Sequence, residues 1–152
     1  MNEKDFKKAR TAALRLLKYR VRSKQELKQR LLLGRASKEA VKAVIADLEQ
    51  LSLIDDLQFA RVWIKNRVSC GFGRLRIERE LFAKGVSRQI IDQGLSQEAK
   101  NIDSLAAIQA LIEKRSKRYT KDDKNTAKGK LFNYLQVRGF SPEKIRLALE
   151  DL

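Results

Sequence analysis

A chain of 152 residues suffices for one ordinary domain or a short row of small ones, and 43% hydrophobic residues exclude global disorder. Its 34 Lys and Arg against 19 Asp and Glu leave a net charge of +15 and a pI near 10.2. The compact state therefore repels itself unless an anionic partner is at hand: nucleic acid, an acidic protein surface or anionic lipid.

Lipid fits least. No apolar run reaches bilayer length, the opening MNEKDFKKAR has no apolar signal segment, and the cations recur on many segments rather than on one amphipathic helix. Together with a single Cys these features lead us to expect no membrane partner and a reducing, cytoplasmic setting. With no His in the chain to activate it, Cys70 is expected to be a small, half-buried thiol.

In chain order, Phe6, Ala9, Ala13, Leu16 and Leu17 share one face of a first helix from Asp5 to about Arg20. Ser23-Lys-Gln-Glu26 has the form of a capping box and opens a second helix through Leu27 and Leu31, ending near Gly34. Ser37 caps a third carrying Val41, Val44, Ile45, Leu48 and Leu51. Asp55, with Gln58 three residues on, caps a fourth holding Phe59, Val62, Trp63 and Ile64. Gly71-Phe-Gly73 breaks the chain before a fifth helix from Arg74 to Lys84. Gly85 suits the left-handed residue beyond that helix, and Ser87 caps a sixth with Ile90, Ile91 and Leu95.

A seventh helix is expected over about Asp103 to Lys117, with Leu105, Ile108, Leu111 and Ile112 inward. The polar stretch Arg118 to Asn125 lacks periodicity and reads as a loop. Thr126 then caps an eighth helix with Leu131, Tyr134 and Leu135, and Gly139 ends it. Ser141-Pro142, a cap followed by Pro at the first helical position, opens a ninth through Ile145 and Leu149.

These nine helices form three similar triplets. Offsets of 50 and 54 residues place Leu31 over Leu81 over Leu135, Ser37 over Ser87 over Ser141, and Val41 over Ile91 over Ile145. Several matches in one register indicate an internal repeat, and a unit so small must stack on its neighbours to bury its apolar face. The expected fold is all-α, with three tandem helix-turn-helix-like units over 1–53, 54–98 and 99–152 forming an elongated, curved body. No segment alternates with period 2, so no sheet is expected.

The cations are densest in the middle. Between Arg61 and Arg88 stand eight of them against Glu78 and Glu80 only, and between Leu111 and Lys130 eight more against Glu113, Asp122 and Asp123. A charge run is usually a solvated helix face, but here acids do not interleave at i, i+4 as pairing would require. Asp55 and Asp56 read as caps rather than metal ligands, since no His or third acid converges on them. Gly71-Phe-Gly73 lacks the strand and the Gly-Lys-Ser/Thr ending of a phosphate loop. It reads as a helix break that brings Arg74 and Arg76 to the side of Arg67. Trp63 and Phe59 are expected in the core, and Phe72 is the aromatic expected to be exposed. No nucleophile elbow or catalytic base is present, and neither enzymatic activity nor a cofactor or metal is expected.

Three stretches carry a resemblance to a known family. They are Asp55-Asp56-x-x-Phe59-Ala60, Arg67-x-x-x-Gly71-x-Gly73, and Arg76-Ile77-x-x-Glu80-Leu81-x-x-Lys84-Gly85-Val86. Ala13 to Leu17 with Ser23-x-x-Glu26-Leu27, and Leu135-x-x-Arg138-Gly139-Phe140, extend it over nearly the whole chain. In these the chain resembles the RecX family of recombination regulators. A departure lies in the first unit, with Gly34-Arg35 where the second has Lys84-Gly85 and the third Arg138-Gly139.

The resemblance implies a tandem of three three-helix units in DNA repair and the SOS response. Such a protein binds the RecA–DNA filament and inhibits its ATPase, strand exchange and growth. On that expectation the contacts to RecA or DNA come from Arg67, Arg74, Arg76, Arg79, Lys84 and Arg88, assisted by Lys114, Arg115, Lys117 and Arg118. The unbound protein is expected to be a monomer. The alternative is a sequence-independent DNA-binding protein built of helix-turn-helix-like modules. Its candidate recognition helices carry few groups suited to base edges: Lys38 and Glu39, Arg88 and Gln89, Glu143 and Lys144.

Overall fold

A computed structural model describes residues 2–152. Among the described residues there are nine α-helices and no strand. The helices are α1 (Glu3–Tyr19), α2 (Lys24–Leu33), α3 (Lys38–Gln50), α4 (Asp56–Ser69), α5 (Arg74–Ala83), α6 (Arg88–Gln97), α7 (Leu105–Ser116), α8 (Lys124–Val137) and α9 (Pro142–Leu149), with a 3-10 turn at Lys117–Tyr119 after α7.

Short polar side chains start these helices by taking the otherwise unpaired first-turn N–H groups. The Ser23 hydroxyl accepts from the Glu26 N–H at 3.1 Å while the Glu26 carboxylate accepts from the Ser23 N–H at 3.3 Å, a complete capping box. Ser37, Ser87 and Ser141 cap α3, α6 and α9 at 3.1, 3.3 and 3.4 Å, and Asp55 accepts from Leu57 at 2.9 Å at the start of α4. Two more carboxylates cap at long range. Asp56 accepts the N–H of Lys24, the first residue of α2, at 2.8 Å, and Asp103 accepts that of Arg74, the first residue of α5, at 2.9 Å.

The turn inside each triplet is the same object three times. The N–H groups of Ala36, Val86 and Phe140 donate to the carbonyls of Leu31, Leu81 and Leu135 at 3.1, 3.1 and 3.2 Å. Those of Arg35, Gly85 and Gly139 donate to Leu32, Phe82 and Gln136, each at 3.0 Å. This is the paired bonding of a Schellman turn, and its left-handed residue has φ of 67° at Arg35, 79° at Gly85 and 99° at Gly139. The leucines that end the preceding helix and the branched residues Val41, Ile91 and Ile145 that follow are all buried. The offsets of 50 and 54 residues therefore superpose equivalent structure.

The chain divides into two compact units. The first holds residues through Val62 together with Leu81–Gln93, and the second holds Trp63–Glu80 and Gly94–Leu152, so the middle triplet contributes to both. In the first, α1–α3 bury Ala9, Ala13, Leu27, Leu31, Val41, Val44 and Leu48. In the second, Ile108, Ile112, Leu131, Leu135, Phe140 and Ile145 of α7–α9 form the core. Inside this second unit the turn before α5 meets the turn before α9 backbone to backbone. Gly73 N–H donates to the Arg138 carbonyl at 2.8 Å and Leu75 N–H to the Gly139 carbonyl at 3.0 Å.

Several expectations from the sequence are corrected. Leu51, Val62 and Leu105 are exposed rather than inward, and Leu111 is only half-buried, because each lies at the edge of its helix's apolar stripe or at a helix end. Helix α7 is capped by Ser104, while Asp103 sits before it at φ 54°. Helix α8 begins at Lys124, capped by Asp123 at 2.6 Å from the Thr126 N–H, so Thr126 lies inside the helix rather than before it. The stretch read as a loop thus contains part of the 3-10 turn and the first two residues of α8. Cys70 is exposed rather than half-buried, since α4 ends there and turns toward solvent.

Candidate functional site

Nearest in sequence to the expected contacts, the Gly71–Gly73 turn carries Phe72, and three guanidiniums converge on that ring. Their central carbons lie 4.0 Å (Arg76), 4.1 Å (Arg67) and 4.3 Å (Arg138) from its centroid. Phe72 is half-buried beneath them, which corrects the expectation of an exposed aromatic: a cation over the negative face of the ring gains electrostatic attraction and covers it. Trp63 is half-buried at the core's rim, with Arg67 5.6 Å from its ring.

The stacking continues through α7 and α8. Arg138 lies 5.5 Å from the Tyr134 ring and Arg115 4.4 Å from the same ring. The Arg115 Nε donates to the Tyr119 hydroxyl at 3.1 Å, and Lys130 stands 5.4 Å from the Tyr119 ring. Cations and aromatics thus alternate from Arg67 through Phe72, Arg138, Tyr134, Arg115 and Tyr119 to Lys130, all within the second unit. A guanidinium held over a ring can still offer N–H groups to a phosphate or carboxylate, and its restrained geometry lowers the entropy lost on binding. In this row Arg67, Arg138 and Arg115 already donate to Glu80, to the Gly71 and Cys70 carbonyls and to Tyr119.

The expected site residues separate into two kinds. Arg67 is held bidentately by Glu80, Nε to Oε1 at 2.9 Å and Nη2 to Oε2 at 2.7 Å, and both side chains are mostly buried. Arg74 turns to Glu78 at 3.0 Å and Arg88 to Asp92 at 3.3 Å, both at i, i+4. Lys84 lies 3.6 Å from Glu26, and its carbonyl accepts from the Ser23 hydroxyl at 2.7 Å. The reading that acids do not interleave with these cations is therefore wrong: Glu78 and Asp92 do so locally, and Glu80 and Glu26 do so through folding. Burial pushes the Glu26 carboxyl up, but hydrogen bonds from Arg20 and the Ser23 N–H, with the charges of Lys84 and Arg20, outweigh it and hold the group below its ordinary value.

By contrast, Arg76, Arg79, Lys114, Arg115, Lys117 and Arg118 form no ion pair with any described residue. All six belong to the second unit, and Arg79, Lys114, Lys117 and Arg118 are exposed. Lys84 and Arg88 belong to the first. Sequence reasoning missed Arg138 as a site residue. Its guanidinium donates to the Gly71 carbonyl at 2.8 Å and to that of Cys70, closing the end of α4. Its position before the left-handed glycine of the third turn was the available signal.

Among the described residues no group of three His, Cys, Asp or Glu side chains converges as metal ligands would, and no helix is long and apolar enough to cross a membrane.

Comparison with known proteins agrees with the geometry of the repeats. The family model described as RecX, second three-helix domain, matches residues 55–95, and that of the RecX third three-helix domain matches 102–149, spans that hold α4, α5 and most of α6, and α7–α9. The regulatory protein RecX of Chlorobium phaeobacteroides (strain BS1) is 34% identical over 100% of this chain and 98% of its own length. The chain belongs to the RecX family. The regulatory protein RecX of Vibrio vulnificus (strain CMCP6) is 36% identical over 91% of this chain and 89% of its own. In fold, the crystal structure of RecX from Lactobacillus salivarius superposes with a TM-score of 0.88 at 25% identity, covering 99% of this chain and 98% of that one. Helices in tandem three-helix domains are thus the architecture of RecX, and a regulatory role comes with the family.

Proposed function

We propose that this RecX-family chain is a non-enzymatic regulator of the RecA recombinase. It lies along the groove of the RecA–DNA filament and inhibits ATP hydrolysis, strand exchange and filament growth. The observation that carries this reading is the set of six cations without acid partners beside a preorganised Arg–aromatic row, in a chain related to RecX over its full length. Repeated units suit a filament whose own subunits repeat, and linked weak contacts add through effective concentration. Inhibition requires tighter binding to a filament geometry that cannot turn over than to the active one. Arg76, Arg79, Lys114, Arg115, Lys117 and Arg118 make the anionic contacts in this scheme. Arg67, Arg74, Lys84 and Arg88 join them from positions already held by acids.

The test is inhibition of the RecA ATPase on single-stranded DNA. Reversing Arg76 and Arg79 together to Glu raises the concentration needed for half-inhibition by at least about tenfold, each lost charged contact being worth about 1.5 kcal/mol or more. Far-UV circular dichroism stays that of the parent chain. Inhibition at parental potency by this variant would overturn the assignment.

A second reading has its own support. The Ser-capped helices α3, α6 and α9 each follow a tight turn in the manner of a recognition helix, so the chain could bind DNA backbone without the recombinase. The two readings part on whether RecA adds affinity to the DNA it coats.

A further inference from the structure

The first unit holds a cleft of about 410 Å³ between α1 and the turn that follows α2. Its floor is apolar, from Ala9, Ala12, Leu16 and Leu31, and its rim is cationic, from Lys8, Arg15, Arg30 and Arg35, with Asp5 as the one acid. Asp5, Lys8, Ala12 and Arg15 fall on one face of α1 at helical spacing. None of the four cations forms an ion pair with any described residue. None is among the residues assigned above to the recombinase.

Arg35 supplies a second, independent observation. It occupies the left-handed position of its Schellman turn at φ 67°, where the equivalent turns have Gly85 and Gly139. An L-residue with a long side chain is disfavoured there relative to glycine. The neighbouring Gly34 has an ordinary φ of −77°, so the glycine of this turn stands one place away from where it would relieve the backbone. A strained arginine lining a cleft already rimmed by three further cations is the pattern of a binding residue kept at a conformational cost.

The geometry points to this cleft as the docking site for a short acidic peptide segment with apolar side chains. Its carboxylates would meet the arginine edges while one or two apolar side chains fill the floor. A nucleic-acid backbone would satisfy the rim but leave the apolar floor empty, so the peptide fits better.

The experiment measures fluorescence anisotropy of a fluorescein-labelled eight-residue peptide alternating Asp and Leu, titrated with the full chain. The peptide binds, an Asn/Leu peptide of the same length does not, and affinity falls with added salt. Arg15→Ala and Arg35→Gly each weaken binding by about fivefold or more, the loss expected for a charged hydrogen bond. Lys42→Ala, at an exposed cation on α3 outside the cleft, leaves it unchanged. Arg35→Gly is the decisive variant, because it raises the melting temperature by roughly 2–5 °C while weakening binding, a split that a purely structural residue would not give. Parental peptide affinity in Arg15→Ala and Arg35→Gly would overturn the proposal. So would a single-stranded oligonucleotide that binds more tightly than the peptide and loses that affinity in the same two variants. Neither result depends on RecA, so failure here is separate from failure of the recombinase reading.

Discussion

Asp103 shows how one side chain reaches across the sequence to start a helix. It is buried, sits in the left-handed region, and accepts the N–H of Arg74, 29 residues earlier. Burial pushes its carboxyl above the ordinary value, and the same holds for Asp56. A carboxyl whose folded value is raised binds its proton more tightly folded than unfolded. Its contribution to stability is therefore fully present below the unfolded value and is lost as pH rises through the folded one. Asp103→Asn keeps the acceptor, tolerates the left-handed backbone and removes the charge. It is expected to melt at or above the parent temperature at neutral pH and to flatten the melting profile in the weakly acidic range. Asp103→Ala loses the cap and about 1–2 kcal/mol. Thermal melts of the three proteins between pH 3 and 7 check this, and an unchanged melt for the Ala variant would contradict it. Caps such as Ser23, Ser37, Ser87 and Ser141 were legible because each stands just before an apolar run of helical period. Asp103 was not, because its partner is distant and no local pattern joins them.

At the scale of elements, the repeated turn fixes where each third helix starts, and its glycine also governs packing. A Cβ on Gly139 would fall 2.3 Å from the Arg76 Cβ and 2.6 Å from its backbone nitrogen, with φ already 99°. A Cβ on Gly73 would fall 2.5 Å from the Gly139 backbone. These glycines allow two turns to bond main chain to main chain, and the same contact sets Arg76 over Phe72. Gly139→Ala is expected to destabilise by roughly 2–4 kcal/mol through strain and overlap. Urea denaturation checks it; a loss below about 0.5 kcal/mol would mean that the turn moves aside freely. The triplets themselves were readable from Leu31, Leu81 and Leu135 in register. The start of α8 was not, because its first turn, Lys124-Asn-Thr126, is polar and exposed and shows no periodicity.

Over the whole molecule, the surplus of cations was plain from composition, but which cations are engaged was not. Pairing of Arg67 with Glu80 and of Lys84 with Glu26 depends on folding, and so does the gathering of Arg67, Arg76 and Arg138 around one ring. Of the cations left without acid partners among the described residues, Arg76, Arg79, Lys114, Arg115, Lys117 and Arg118 are those the proposed function assigns to a partner. Phosphate contacts alone would give an affinity set by salt and indifferent to what coats the DNA. Recognition of a recombinase filament adds protein contacts to those. Titrating the chain against bare single-stranded DNA and against RecA-coated DNA at one salt concentration separates the two directly. Binding to the coated DNA is predicted to be tighter by at least about tenfold, or 1.4 kcal/mol; equal or weaker binding would contradict a role as a filament regulator.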